Sequence, residues 1–196
     1  MKKLLLVLLA VLAATSMSFA QKGQMTIGGL AGLYVPMGDF GDAAGTGFGI
    51  LPQFEYKMNE NVNLVGNIGY VSWGGKTIDM PYYDYYTGTY GTQEWEYSYH
   101  NIPIMAGAKY YFGNGKLKTY GMANLSMNMF GFTVEFMGES ESESETYFGF
   151  GFGGGFEKPL NEKMNLDVAA AFESIASEGS SANSLVIKAG IKYFLK

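Results

Sequence analysis

The chain has no cysteine, one histidine (His100) and only five prolines, and charged residues make up 16% of its 196 positions. Without cysteine, an exported fold has no disulfide to brace it and no site for lipid attachment. A single histidine leaves little material for a hydrolase or acyltransferase, which needs histidine, a carboxylate and a serine converging on one point. Beyond residue 20 there is no apolar run of the roughly 20 residues that a membrane-crossing helix requires. Low charge together with 16% aromatics and 28 glycines excludes a disordered chain. A formal net charge of −5 argues against nucleic acid as a partner.

What is present begins with an export signal. Lys2 and Lys3 precede an apolar run over 4–14, and Ser18-Phe19-Ala20 supplies the small residues of a cleavage site. Residues 1–20 read as a secretory signal peptide and 21–196 as one domain. Within that domain, Phe148, Phe150, Phe152 and Phe156 share one face of a strand, because side chains alternate with period two. Gly149, Gly151, Gly153, Gly155 and Glu157 share the other. Such a wall suits hydrocarbon outside and a narrow, crowded, partly polar interior, which is the pattern of a transmembrane β-barrel.

Seven further segments repeat this alternation. Their approximate ranges are 26–35, 47–57, 63–74, 97–112, 116–134, 166–174 and 184–195. The outward faces carry Ile27, Leu33, Phe48, Ile50, Leu64, Ile68, Ile104, Tyr110, Leu125, Met127, Val168, Phe172, Ile187 and Ile191. The inward faces carry Gln53, Glu55, Asn67, Lys109, Tyr111, Tyr120, Asn124, Asn128, Asp167, Glu173, Lys188 and Lys192. Pro52 falls outward inside the second segment and weakens it. Asn114-Gly115 signals a two-residue type I′ turn, which would set Phe112 opposite Leu117 and Lys109 opposite Tyr120. Connections alternate short and long, and the longest, over 75–96 and 135–145, read as external loops. The fold expected is all-β: an eight-stranded antiparallel up-and-down transmembrane β-barrel with both termini in the periplasm. The chain stops at the eighth segment, so no appended periplasmic domain is expected.

Asn101-Ile102-Pro103-Ile104 leading to Gly107-Ala108-Lys109-Tyr110-Tyr111-Phe112 is similar to the fourth strand of the small outer-membrane β-barrels. The whole domain resembles that family, the OmpA- and OmpX-like barrels also grouped as porin-family proteins. The resemblance implies that Lys188, Gly190, Tyr193 and Leu195 form the terminal signal read by the barrel-assembly machinery. It implies the cell outer membrane as location, with outer-membrane lipids and lipopolysaccharide as neighbours. It is specific for architecture and weak for activity, since the family mixes anchors, adhesins and proteins of other roles.

Four groups of residues are candidate sites. Glu55, Lys109, Lys118, Glu157, Asp167, Lys188 and Lys192 place charge on the inward face near the periplasmic end. They suit an interior salt-bridge plug, with a selective ion path as the alternative. The inward glycines make room for Tyr111 and Tyr120. Tyr82, Tyr83, Tyr85, Tyr86, Tyr90 and Trp95 crowd one loop, either as girdle residues or as an adaptable binding surface. The alternating Glu-Ser tract over 139–145 reads as a solvated loop tip, or as a cation bridge to anionic headgroups. His100 points outward by parity, an interfacial position rather than a catalytic one.

The reading that follows is a monomeric barrel with a filled interior. It has a structural or surface-interaction role through its Tyr-rich and acidic loops, directed at an unidentified extracellular ligand or surface. The alternative is a narrow porin-like pore for ions or very small solutes. No enzymatic activity, cofactor or dedicated metal site is expected. A soluble lipocalin-like barrel would bury its large apolar groups, whereas these strands turn them outward.

Overall fold

The computed structural model describes residues 23–75, 78–86, 88–112, 115–136, 139–177 and 180–195. The signal segment, and Gly113 and Asn114 of the expected turn, lie outside the described residues. The strands are β1 (Met25–Met37), β2 (Ala44–Lys57), β3 (Val62–Ile68), β4 (Tyr70–Gly75), β5 (Ile78–Asp84), β6 (Thr89–Phe112), β7 (Lys118–Phe136), β8 (Glu139–Pro159), β9 (Met164–Ser177) and β10 (Ser180–Phe194). A short helix, α1 (Asp39–Ala43), joins β1 to β2.

Each neighbouring pair is antiparallel, and β1 pairs with both β2 and β10, so the sheet closes on itself. Strands β3 and β4 occupy one slot between β2 and β6 and keep a single register across Gly69. The ring therefore has eight strands: an antiparallel transmembrane β-barrel. Closure gives every strand of the ring a neighbour on both sides, as hydrocarbon penalises each unsatisfied backbone group by several kcal/mol.

The faces follow the alternation in the sequence. Outward Leu33, Phe48, Ile50, Ile104, Leu125, Phe148 and Ile187 are exposed, while Leu30, Leu51, Val71 and Val186 between them are buried in the lumen. At Gly155 a side chain would strike the Tyr120 hydroxyl, 2.7 Å from an added Cβ, and the Val168 carbonyl on the other side. At Gly151 it would strike Asn124. The glycine face thus makes room for Tyr120 and for amide side chains of β7, and it also lets β9 approach closely.

Pro52 sits inside β2 without ending it, for a reason visible in the ladder. Lys57 donates to Gln24 of the β1 side and Met58 to Val62 of the β3 side, so even-numbered N–H groups of β2 face β3. The N–H that Pro52 lacks would have met Ile68. On the other flank Gly69 donates to the Pro103 carbonyl at 3.0 Å, and Pro103 has no N–H to return. Two successive carbonyls, of Ile68 and Gly69, thereby lose their donors, and β3 and β4 part at that point.

Two expectations are corrected. Within the segments over 75–96 and 135–145, expected as loops, the described residues form paired strands: β5 with the start of β6, and the end of β7 with the start of β8. Tyr and Thr favour strands, and an alternating Glu-Ser run keeps all its carboxylates on one face. The β6–β7 hairpin also pairs two residues away from the two-residue-turn register. Phe112 lies opposite Thr119, Tyr111 opposite Tyr120 and Lys109 opposite Met122. A slip of two keeps every side chain on its face. The lumen selects it, because Tyr111 beside Tyr120 (ring centroids 5.5 Å apart) lets the two phenols reach Glu157 and Asp167.

Restoring the missing donors should strengthen the wall. The double variant Pro52→Val, Pro103→Val is expected to raise the unfolding free energy in lipid vesicles by about 1 kcal/mol per regained hydrogen bond. A urea midpoint that is unchanged or lower would contradict this account of the break.

Candidate functional site

Strands β2, β6, β8, β9 and β10 each send charge into the lumen near the ends joined by short connections. There Lys109 Nζ lies 2.7 Å from Glu55 Oε1 and 2.6 Å from Asp167 Oδ2. Lys192 Nζ lies 2.8 Å from Glu55 Oε2 and also pairs with Glu157. The side chains of these five residues are at most 5% exposed. Neutral donors complete the shell. The Tyr120 hydroxyl donates to Asp167 at 2.6 Å, that of Tyr111 to Glu157, and Asn165 to Glu157 at 3.1 Å. Asn63 and Gln53 donate to Glu55 at 3.0 and 2.6 Å. Lys109 also stands 4.4 Å from the centre of the Tyr120 ring.

Buried charges persist only when paired and hydrogen-bonded, and here each carboxylate meets an ammonium group and at least one neutral donor. Oxygens of Glu55, Glu157 and Asp167 lie within 4.8 Å of one another, a spacing that would suit a metal ion. Lys109 and Lys192 already bring two positive charges to that point. Cavities of about 30 and 60 Å³ flank the cluster. A water needs about 10–15 Å³ of such space, so each has room for a few waters.

Of the seven residues read as one interior cluster, five meet. Lys188 forms a separate pair with Glu173 at 2.5 Å. Lys118 does not join: the two-residue change of register leaves it exposed at the start of β7, lining the cavity at the periplasmic mouth. Asn165 was not singled out in the sequence, although strand parity extended by one residue would have pointed it inward.

The opposite half of the lumen combines an apolar cluster with buried polar residues such as Asn101, Asn128, Ser174 and Ser184. Leu30, Tyr34, Leu51, Val71, Trp73, Met105 and Val186 pack together, and α1 folds Phe40 into the mouth above them. The Phe40 ring lies 5.5 Å from Trp73, 5.5 Å from Tyr99 and 5.7 Å from Phe130, all near edge-on. Phe40 belongs to a connector with no strand period. Its only signal in the sequence is an aromatic residue between Gly38 and Gly41.

Beyond the mouth, the candidate tyrosines stand on the β5–β6 hairpin. Tyr83 and Tyr90 face each other across it at 4.9 Å, and Tyr85 packs on Tyr83 at 5.0 Å. Tyr82 crosses over Gly91 on the other side. Tyr85 is 89% exposed, Tyr90 83% and Tyr86 fully. Trp95 pairs with Ile78, and its side chain lies outside those described. His100 is half-buried on the outward face, opposite Gly131.

The charge count yields a test. Glu157→Gln leaves two carboxylates with two ammonium groups, whereas Lys192→Met leaves three carboxylates around one. In urea titrations of the refolded barrel, Lys192→Met should cost about 3–5 kcal/mol, and Glu157→Gln clearly less. Equal losses would show that charge balance does not govern the plug.

Several solved structures of outer-membrane proteins share this architecture. Neisserial surface protein A (NspA) superimposes with a TM-score of 0.58 at 17% identity, covering 86% of this chain and 96% of that one. A major outer membrane protein from Thermus thermophilus gives 0.56 at 12% identity, covering 87% and 99%. Ail, the attachment invasion locus protein of Yersinia pestis, solved with the heparin analogue sucrose octasulfate, gives 0.53 at 15% identity, covering 89% and 100%. No curated protein sequence matches the chain. The family described as the outer membrane protein β-barrel domain matches residues 4–194. With nearly its whole length matched and its wall closed as an eight-stranded ring, the chain belongs to the outer membrane protein β-barrel domain family and is a protein of the outer membrane.

Proposed function

We propose that this barrel is closed to solutes and works at its outer surface, with the tyrosine hairpin as its contact element and the export signal removed on the way. The observation that carries this is the contrast between the two ends of the molecule. The lumen is spanned by paired charge and packed aromatics, while Tyr85, Tyr86 and Tyr90 stand largely exposed on a paired hairpin, with Tyr83 packed against Tyr85 and Tyr90. Tyrosine presents a large rigid surface with a polar tip and few rotamers to freeze, which favours recognition. The protein acts without catalysis, as a monomer among outer-membrane lipids and lipopolysaccharide. Lys188, Gly190, Tyr193 and Leu195 guide its assembly by the insertion machinery.

Ail was crystallised with a polyanion. That ligand class does not transfer here. The outer arm of β8 carries Glu139, Glu141, Glu143 and Glu145, and repulsion from these carboxylates favours a neutral or cationic partner.

Cells displaying the protein, applied to a printed glycan array and a matrix-protein array, should lose their binding signal when Tyr85, Tyr86 and Tyr90 are changed together to Ser. In planar bilayers the purified barrel should show no stable unitary conductance. Undiminished array binding by the triple variant would refute the hairpin's role. Openings abolished by Glu157→Gln or Lys188→Met would establish the narrow pore instead.

A further inference from the structure

A cavity of about 440 Å³ opens at the outer mouth, apart from the tyrosine hairpin. Its apolar wall includes Phe40, Phe130, Phe132 and Ile175, and its acidic wall Asp39, Glu143 and Glu145. No lysine is among the described residues that line it. Strand parity sets the two walls next to each other: Phe130 pairs with Glu145 and Phe132 with Glu143, so rings and carboxylates stand side by side on one surface. Directly below, a small cavity shares Ile175 and Ala182 with the large one and is also lined by Tyr34, Trp73 and Asn101. These three residues are at most 3% exposed. The Tyr34 hydroxyl, Trp73 Nε1 and Asn101 Oδ1 have no hydrogen-bond partner there. Buried polar atoms without partners are uncommon and point to a group that completes them.

We propose that this mouth cavity binds an organic cation with an apolar body, such as an arylalkylamine. The volume falls in the range of small-molecule sites, which are concave, largely apolar and fixed by a few polar groups. A bare metal ion would use the carboxylates but leave the aromatic wall idle. A neutral apolar ligand would displace water from the exposed Glu143 and Glu145 carboxylates without supplying them a charge partner, leaving Glu145 only the Tyr147 hydroxyl that donates to it at 2.5 Å. An ammonium group near Glu143 and Glu145 satisfies them, and Phe130 and Phe132 offer both ring faces to the cation and surface to its body. The unpaired atoms below the floor supply donors and an acceptor for a polar substituent, directly or through one water. The site does not depend on the role given to the tyrosine hairpin.

The test is calorimetric titration of the full-length mature protein in nanodiscs with 2-phenylethylammonium chloride, 2-phenylethanol, 3-phenylpropionate and calcium chloride. Saturable binding of the amine is expected, with the alcohol weaker by about tenfold, the carboxylate silent and calcium unable to displace the amine at equal concentration. Glu143→Gln combined with Glu145→Gln should weaken the amine by about tenfold, Phe132→Ala should weaken it measurably, and Glu141→Gln, outside the cavity, should not. A heat-dependent gel shift of each variant verifies that it is folded. Equal binding of the alcohol, full displacement by calcium, no binding of the amine, or an unaffected double Glu variant would each overturn the proposal.

Discussion

Hydrocarbon offers no partner to a peptide N–H or carbonyl, so a chain that crosses it with strands must close its ladder completely. Here the last strand, β10, returns to the first and pairs with β1 from Thr26 opposite Phe194 to Met37 opposite Asn183. The remaining features answer that closure. Eight strands make a ring about wide enough for its side chains to fill, so whatever faces inward must pack or pair. The lumen solves this in two ways along its axis, with compensated charge at the end of the short connections and aromatic and aliphatic packing at the other. Between Pro52 and Pro103 the ladder lacks two donors, and the strand between them breaks there.

The charged half does two jobs. Its links join strands that are not neighbours in the ring, β6 with β9 through Lys109 and Asp167 and β10 with β2 through Lys192 and Glu55, and so fix how these strands stand relative to each other. Its hydrogen bonds also set the β6–β7 register, where a local turn signal gives way to two buried tyrosines seeking carboxylates. The aromatic half is closed by α1, which carries Phe40 back over the mouth, and the outer arms rise past it.

Face assignment was legible in the sequence because the period-two signal is purely local: once Glu55, Lys109 or Ile187 is placed on a strand, its neighbours' faces follow. Register was not, since parity allows any even shift and only the assembled lumen distinguishes Lys109 opposite Tyr120 from Lys109 opposite Met122. Lys118 was misplaced for the same reason. The arms were misread because polarity suggested loops, although Glu-Ser alternation is itself a strand pattern. Phe40 lies in a connector and carries no periodic signal, whereas Asn165 has the inward parity of Asp167 but lies just outside the segment that reads as a strand. Tyr85, Tyr86 and Tyr90 are visible in the sequence as a cluster, but their display on a paired hairpin depends on β5, whose polar, tyrosine-rich stretch carries no clear apolar alternation.

The absence of cysteine permits a clean test of the central claim, that the apolar faces meet lipid while the lumen is filled. Single cysteines at Ser184, Leu185, Val186 and Ile187 of β10, spin-labelled in the barrel refolded in lipid vesicles, report collisions with oxygen, which concentrates in hydrocarbon. High oxygen accessibility at Leu185 and Ile187 and low accessibility at Ser184 and Val186 is the predicted result. A reversed pattern, or one without alternation, would contradict it.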